Sequence, residues 1–488
     1  MEERPWEHPF LTEPNLRRFR DYSLGIHEIA LAHARAKPTT LDVGFCVNLA
    51  QNMYKWARLA QKAGAAVTLY LHAWDDRALS SPAWEDYDGE WHDVLDGTGF
   101  RRAHPELSPV VPCVTPPLEA CNEFQTAWQE FQGGARRHLF QCQNRSPDLR
   151  YDALFAYQGV YAYLLPWAEQ LARHEVCCAA YFPAAAYLSG RPYCATAVGD
   201  DLQYDCGRAD QLGRLMGLSF NGARFLWISN PHVLGHCRRL GFGNGVHLPY
   251  PMDDSRYCPG PPQARKQWQA SHGPGFYVLS ACRLDDKVKG NATTALGALA
   301  ALARRLPALR FVFLTWGSDA AAFAERVRAA GLQDRFLILP PVGKARLIDY
   351  YRSCDCVLDQ FVYGYYGATA LEACAVGKPV IMRVRERQYA ALCGGDVAPV
   401  LNCRDLGEAV RAIEALATNG DLCGRVGQQS REWLVRNHGE AVTTPLMLAL
   451  LQFARDRQAL PPDLRNPLWD EETDEESAYH RTRLRTAA

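Results

Sequence analysis

Residues 354–382, CDCVLDQFVYGYYGATALEACAVGKPVIM, hold the residue types and spacing best suited to chemistry in this chain. An apolar run through Val357 and Leu358 ends at Asp359 and gives way to an aromatic, glycine-rich loop. Gly367 opens a short helical stretch with a single acid, Glu372; Gly377, Lys378 and Pro379 stop it and launch a second apolar run. A strand, glycine loop, helix and strand in that order aim backbone N–H groups and the positive end of a helix at one spot. Such a spot suits an anion, phosphate above all. A carboxylate one turn further into the helix suits hydroxyl groups such as those of a ribose. The order and spacing suggest a nucleotide-sugar site.

The elements that must position these residues read as α/β from about residue 40. LDVGFCVN (41–48) is a buried strand, followed by a helix through Tyr54–Ala63, a stop at Gly64 and the strand AVTLYLH. The unit recurs as DALFAYQ, helix, VCCAAYF, and again as ARFLWISN, helix, NGVHLP. Residues 80–150 are polar, rich in Trp and Pro and poorly periodic, and read as an irregular insertion of this first domain, 1–250. Prolines, glycines and charges over 251–272 mark a linker. A second series then runs GFYVLSACR, RFVFLTWG, RFLILPP, CDCVLDQ and KPVIMRV, giving a second domain over 273–440. Apolar strands alternating with helices predict parallel sheets covered on both faces. In such folds the cleft outside the carboxyl ends of the strands is the expected site. A helix over 441–459 is expected to pack back on the first domain, and 460–488, with its acidic block Asp470–Glu476 and basic end, to be a disordered tail.

Composition narrows the partners. A chain of 488 residues exceeds one core and predicts at least two domains. Lys plus Arg (53) nearly balances Asp plus Glu (54), so no global field attracts nucleic acid. The start, MEERPWEHPFL, lacks the apolar core of a signal peptide, and no apolar run reaches the ~18 residues of a membrane span. The expectation is a cytoplasmic protein, with peripheral contact at the inner membrane surface left open. The 17 cysteines form no C-x-x-C pair and no Cys/His cluster at zinc spacing, so they are expected to pack in the core. Asp285-Asp286 and Asp75-Asp76 are adjacent pairs that diverge on a strand, and no Asp-x-Asp stands in a suitable strand context, so no metal is expected. GFGNG (241–245) precedes a strand instead of following one and is not a dinucleotide loop.

The second domain resembles the GT-B glycosyltransferases of family 4 (glycosyl transferases group 1) over about 275–385. CRLDDKVKGN resembles the family's Arg…Lys-Gly stretch, where the two cations hold the diphosphate and neutralise the departing nucleotide; by position these are Arg283 and Lys289, followed by Gly290, with Lys287 nearby. FLTWGSD and the RFLILPPVGK run resemble the region enclosing the base, which makes Trp316 and the backbone at Pro341 and Val342 candidates, with packing the alternative for Trp316. In the opening motif the family shows Glu-x7-Glu. Glu372 matches the second Glu, the ribose anchor, and Gly367, Ala368 and Thr369 match the helix start facing the diphosphate. Gly364 stands where the first Glu, which touches the donor sugar, would fall; Tyr365, Tyr366 and Asp359 are candidate substitutes. In the first domain, VGFCVNLAQNMYKWARLAQKAG lies where the family has a glycine-rich loop. Asn48 and Asn52 replace most of the glycine, as phosphate or acceptor donors or as helix caps. In ATAVGDDLQYD, Val198-Gly199 replaces the usual His-Gly, leaving Asp200 and Asp201 as polar candidates or as caps.

The resemblance implies an α/β protein of two Rossmann-like, doubly wound parallel-sheet domains facing a cleft. It implies retaining transfer of a sugar from a nucleotide-sugar to a glycan, lipid-linked or small-molecule acceptor, with no cofactor. Arg283 and Lys289 would stabilise the leaving diphosphate, which can itself take the acceptor's proton, so no protein base is required. Competing readings are a catalytically silent nucleotide-sugar-binding subunit, for which the missing Glu and His speak, and a nucleotide-sugar epimerase, whose acid and base residues are not evident. A pyridoxal-phosphate phosphorylase would need a longer chain.

Overall fold

The computed structural model describes residues 7–71, 77–94, 99–115, 147–150, 164–197, 199 and 201–469, with the isolated positions 129 and 144. The chain divides into two compact units, one of Met1–Asp75, Pro109–Tyr250 and Thr443–Ala488, the other of Asp76–Ser108 and Pro251–Val442.

In the first unit the strands are β1 (Asp42–Cys46), β2 (Ala66–Tyr70), β3 (Cys113–Val114), β4 (Val176–Ala180), β5 (Tyr193–Thr196), β6 (Phe225–Ile228) and β7 (Gly245–His247). They form a seven-stranded sheet in the order β3-β2-β1-β4-β5-β6-β7. In the second unit β8 (Phe276–Ser280), β9 (Leu309–Leu314), β10 (Phe336–Leu339), β11 (Cys356–Leu358), β12 (Val380–Met382) and β13 (Leu401–Asn402) form a six-stranded sheet in the order β10-β9-β8-β11-β12-β13. Every pairing between these strands is parallel, which demands crossover connections and explains the helices between them. β4, β6 and β11 are buried along their whole length, so their continuous apolar runs reflect cover on both faces. The second core centres on Val278, Phe311, Phe313, Leu358 and Ile381, with Phe311 stacked on Phe336 at 5.1 Å.

Each sheet is doubly wound, and its strand order reverses once, between β1 and β4 in the first unit and between β8 and β11 in the second. At such a reversal neighbouring strands send their crossovers to opposite faces. A crevice opens outside their carboxyl ends, and ligands bind there in folds of this kind. The register Val43↔Val176 and Val278↔Cys356 brings the loops after each strand pair side by side.

Several expectations change. Residues 77–108, read as part of an insertion in the first domain, belong to the second unit. The reason is an aromatic cluster: Phe100 is fully buried, with Trp84, Tyr87 and Trp91 at 5.3, 5.1 and 5.2 Å from its ring, and Trp316 packs on the same cluster. The segment is also laced to the loop after β10. Trp91 N–H donates to Pro341 O and Gly343 N–H to Gly89 O, both at 3.0 Å, while Tyr257 O–H donates to Glu85 at 3.1 Å. The predicted linker 251–272 contains a helix, Gln263–His272, which buries Trp268 against Tyr277 and Tyr350. The tail is ordered at least to Trp469, with Leu468 buried, and Glu440–Arg455 is a helix. The short strands β3, β5 and β13 had no clear periodic signal. The predicted strand at 152–158, the pair Asp75-Asp76 and the acidic block 470–476 lie outside the described residues. No helix among the described residues is long and apolar enough to cross a membrane.

Candidate functional site

The switch point of the second sheet is flanked by the loops after β8 and β11, which are the basic loop and the glycine loop singled out in the sequence. They touch. Lys289 Nζ donates to Gln360 Oε1 at 3.2 Å, and Phe361 N–H donates to the carbonyl of Lys289 at 2.6 Å. The basic loop is held by its own hydrogen bonds. Gly290 takes φ +69° ahead of the helix Asn291–Leu302, Lys289 N–H closes a turn on Asp285 O at 2.7 Å, and Asp286 caps through Thr293 at 3.2 Å. Asn291, fully buried, ties the loop down through Ser280 Oγ at 3.0 Å and Cys282 Sγ at 3.2 Å. Arg283 is 41% exposed, with Asp285 at 3.7 Å and a buried Nε that has no partner among the described residues. Lys287 is exposed.

In the glycine loop, Asp359 ends β11 almost fully buried. Burial raises its carboxyl above the usual range against the pull of Lys289, and its Oδ2 has no hydrogen-bond partner among the described residues. Gln360 also donates to Tyr365 O, so one amide spans both loops. Gly364 sits at φ +80°, and a Cβ there would stand 3.0 Å from Arg385 Cγ. The backbone thus disfavours the acid that the resemblance expects at this place. Tyr365 donates to Gln388 at 3.2 Å. Tyr366 is a packing residue, its ring 4.1 Å from that of Tyr389 and its hydroxyl accepting from Ala398 N–H at 3.1 Å. Gly367 caps the helix Ala368–Ala375, with Ala368 exposed and Thr369 half-buried at the open end.

Glu372 lies one turn in and is fully buried. Its carboxylate accepts from Lys344 Nζ at 2.6 and 2.9 Å and from Tyr351 O–H at 3.1 Å. Burial, and after it that charge, push the Tyr351 phenol well up. Lys344 and Tyr351, on the helix Lys344–Ser353, escaped the sequence reading. Their one signal was a glycine followed by a cation after an apolar strand, which a single chain does not distinguish from a solvated lysine. Val342 is buried between Pro341 and Gly343, whose carbonyl and amide bridge to 89–91. The Trp316 indole N–H donates to Ala281 O at 3.0 Å, the packing role weighed for it.

Of the first unit's candidates, Asn48 follows β1 at that unit's switch point and Asp201 follows β5, and both side chains are fully buried. Asn48, fully buried, accepts from Tyr54 N–H at 2.9 Å and donates to Gln51 at 3.2 Å, so it caps the helix Asn52–Lys62. Asn52 opens that helix half-buried. Asp201 is fully buried and accepts from Gly199 and Leu202 N–H, each at 2.9 Å, which makes it a turn builder; Asp200 lies outside the described residues. The loops after β1 and β4 hold Val47, Ala50, Gln51 and Tyr181 at φ +61°, +52°, +64° and +58°. Left-handed backbone of this kind disfavours side chains and suits glycine.

Fold and site define a class. Residues 264–433, which include the whole second sheet, match the family described as Glycosyl transferases group 1. Among solved structures the chain is similar to sucrose-phosphate synthase from Thermosynechococcus elongatus, with TM-score 0.56 and 14% identity over 85% of this chain and 99% of that one. It is likewise similar to HepE from Anabaena in complex with UDP and glucose, with TM-score 0.56 and 12% identity over 84% and 99%. At these identities the likeness establishes the fold alone, GT-B, and the family match is confined to 264–433. Among curated proteins it is similar to D-inositol 3-phosphate glycosyltransferases of Gordonia bronchialis, 29% identical over 21% of this chain and 22% of that protein, and Streptomyces coelicolor, 27% identical over 26% and 28%. The chain thus matches about a quarter of the length of those relatives.

Proposed function

We propose that this protein transfers a sugar residue from a nucleotide-sugar to an acceptor, with retention at the anomeric carbon and without a metal. The observation that carries this reading is the contact of Lys289 with Gln360, which joins the cations of one loop to the helix start of the next across a topological switch point. Breaking a sugar–phosphate bond builds charge on the departing diphosphate. Fixed cations aimed at that charge stabilise the transition state more than the ground state. Arg283 and Lys289 fill this role, the N–H groups at Gly367, Ala368 and Thr369 assist, and Glu372 holds the ribose. Relatives support the donor class: HepE is described in complex with UDP and glucose, and the curated matches are named for glycosyl transfer. The acceptor is a glycan, a lipid-linked glycan or a small molecule handled by the first unit, in the cytoplasm or at a membrane surface.

Gly364 favours a second reading. With left-handed backbone where a sugar-contacting acid is expected, a nucleotide-sugar-binding subunit without turnover fits the same site. Nucleotide release separates the two. The chain is offered UDP-, GDP- and ADP-sugars, first for thermal stabilisation and then for release with and without candidate acceptors. Stabilisation with release supports the transferase; stabilisation without any release, across acceptors of all three kinds, refutes it.

A further inference from the structure

We infer that Lys344 binds the nucleotide directly, as the hydrogen-bond donor that completes recognition of the ribose. The inference rests on the reading of Glu372 as the ribose anchor and adds what that residue alone does not provide. A carboxylate offers roughly four acceptor sites and no donor. In this structure Lys344 Nζ occupies two of them, at 2.6 and 2.9 Å, and Tyr351 O–H a third, at 3.1 Å. At most one is left for a vicinal diol that presents two hydroxyls. The second hydroxyl therefore needs a partner that donates to its oxygen.

Lys344 has that capacity. An ammonium carries three N–H donors. Two go to Glu372, and the third meets no protein group among the described residues. Its side chain is 12% exposed beside a Glu372 side chain that is 1% exposed, so of the two it is the lysine side chain that reaches solvent. Its position is fixed from behind as well. Lys344 is the first residue of its helix, and the preceding Gly343 is held by Gly89 O at 3.0 Å and by the close approach of Tyr87 O. Opening the pair to let a ligand take its place would strand a buried carboxylate, which is strongly unfavourable. Keeping it closed leaves the third N–H of Lys344 as a donor beside the carboxylate, the complement of a ribose hydroxyl oxygen.

The test is titration calorimetry of the full chain with UDP, GDP and ADP and with their 2′-deoxy and 3′-deoxy forms. Lys344→Met is expected to weaken the best-bound ribonucleoside diphosphate about 10- to 150-fold, the range of a hydrogen bond to a charged group. The preference for ribose over one of the two deoxy forms should fall to within about twofold. Unchanged or tighter binding by Lys344→Met overturns the inference, because the lysine would then be structural or a competitor for Glu372. Should that variant fail to fold, Lys344→Met is placed on Glu372→Gln, where no buried charge is left stranded; a further loss of ribose preference relative to Glu372→Gln alone is expected, and no further loss overturns the inference equally. Glu372→Gln separates the two levels. If it weakens binding and Lys344→Met adds no loss to the parent or to it, only the role of Lys344 fails; if it leaves every affinity unchanged, or if no nucleotide binds the parent chain, the ribose-anchor reading fails with it.

Discussion

Truncating Lys289 to Ala tests the proposed chemistry most directly, because its structural and catalytic effects differ in size. The side chain makes one hydrogen bond, to Gln360 Oε1 at 3.2 Å, and is half-buried. The bonds that shape the loop, Lys289 N–H to Asp285 O and Phe361 N–H to Lys289 O, are backbone bonds and survive the substitution. Loss of one long, partly solvated bond costs roughly 1 kcal/mol. Asp359 loses the cation that opposes its upward shift and moves further toward the neutral form, which limits the charge left stranded. The total is about 1–2 kcal/mol, or a few degrees in melting temperature. Removing a preorganised group that stabilises developing charge typically lowers turnover about 10²–10³-fold, equivalent to about 2.7–4 kcal/mol. Nucleotide release at saturating donor, beside a thermal scan, reads both quantities. The reasoning predicts a fall in kcat of at least about 100-fold with nearly native melting. Turnover within about threefold of the parent would refute it, and so would a loss of activity matched by global unfolding.

Other expectations follow from the same geometry. Gly364→Glu, which restores the acid of the resemblance, should destabilise by about 1–2 kcal/mol in denaturant titration and not raise turnover, because φ is +80° and Arg385 Cγ is 3.0 Å from the new Cβ; a stable, more active variant would show the backbone argument to be wrong. Asp359→Asn should raise stability at neutral pH. The folded carboxyl is raised above its ordinary 3.8, so the native state binds the extra proton and loses stability as pH rises from about 3.8 through the raised value; the gain should vanish below that window, and a gain independent of pH would count against a titrating Asp359. Gly343→Ala places a Cβ 2.1 Å from Tyr87 O and should detach 87–91 from the loop after β10, altering the emission of Trp84 and Trp91; unchanged fluorescence and melting would argue against that pairing. Ala50→Gly should be neutral to stabilising by about 1 kcal/mol, since relief at φ +52° outweighs the entropy that glycine adds to the unfolded chain, and a clear loss of stability would contradict it.

Much of the second unit's candidate site was legible from local pattern. β8, β11 and β12, the glycine loop and the helix bearing Glu372 all lie where apolar runs and glycines placed them, because strand and helix signals are short-range. Burial and partnership were less legible. Asn48 and Asp201 were weighed as ligand groups or as caps, and the structure gives them to backbone N–H groups. The choice depends on which way a short polar side chain turns once its loop is folded. Tyr366 and Trp316 likewise resolve into packing through Tyr389 and Ala281, partners 23 and 35 residues away.

By itself, then, the sequence determined the alternation of strands and helices, the two series that become two sheets, and the cationic and glycine loops that end up at a switch point. These follow from periodicity and turn chemistry, which act over a few residues. The assignment of 77–108 to the second unit was decided only by tertiary structure, since it depends on Phe100, Trp84 and Trp91 closing a cluster with Trp316 more than 200 residues along the chain. The lysine on Glu372 was decided in the same way: Lys344 stands 28 residues before its partner, and only the packing of two helices turns a surface-type residue into one half of a buried pair.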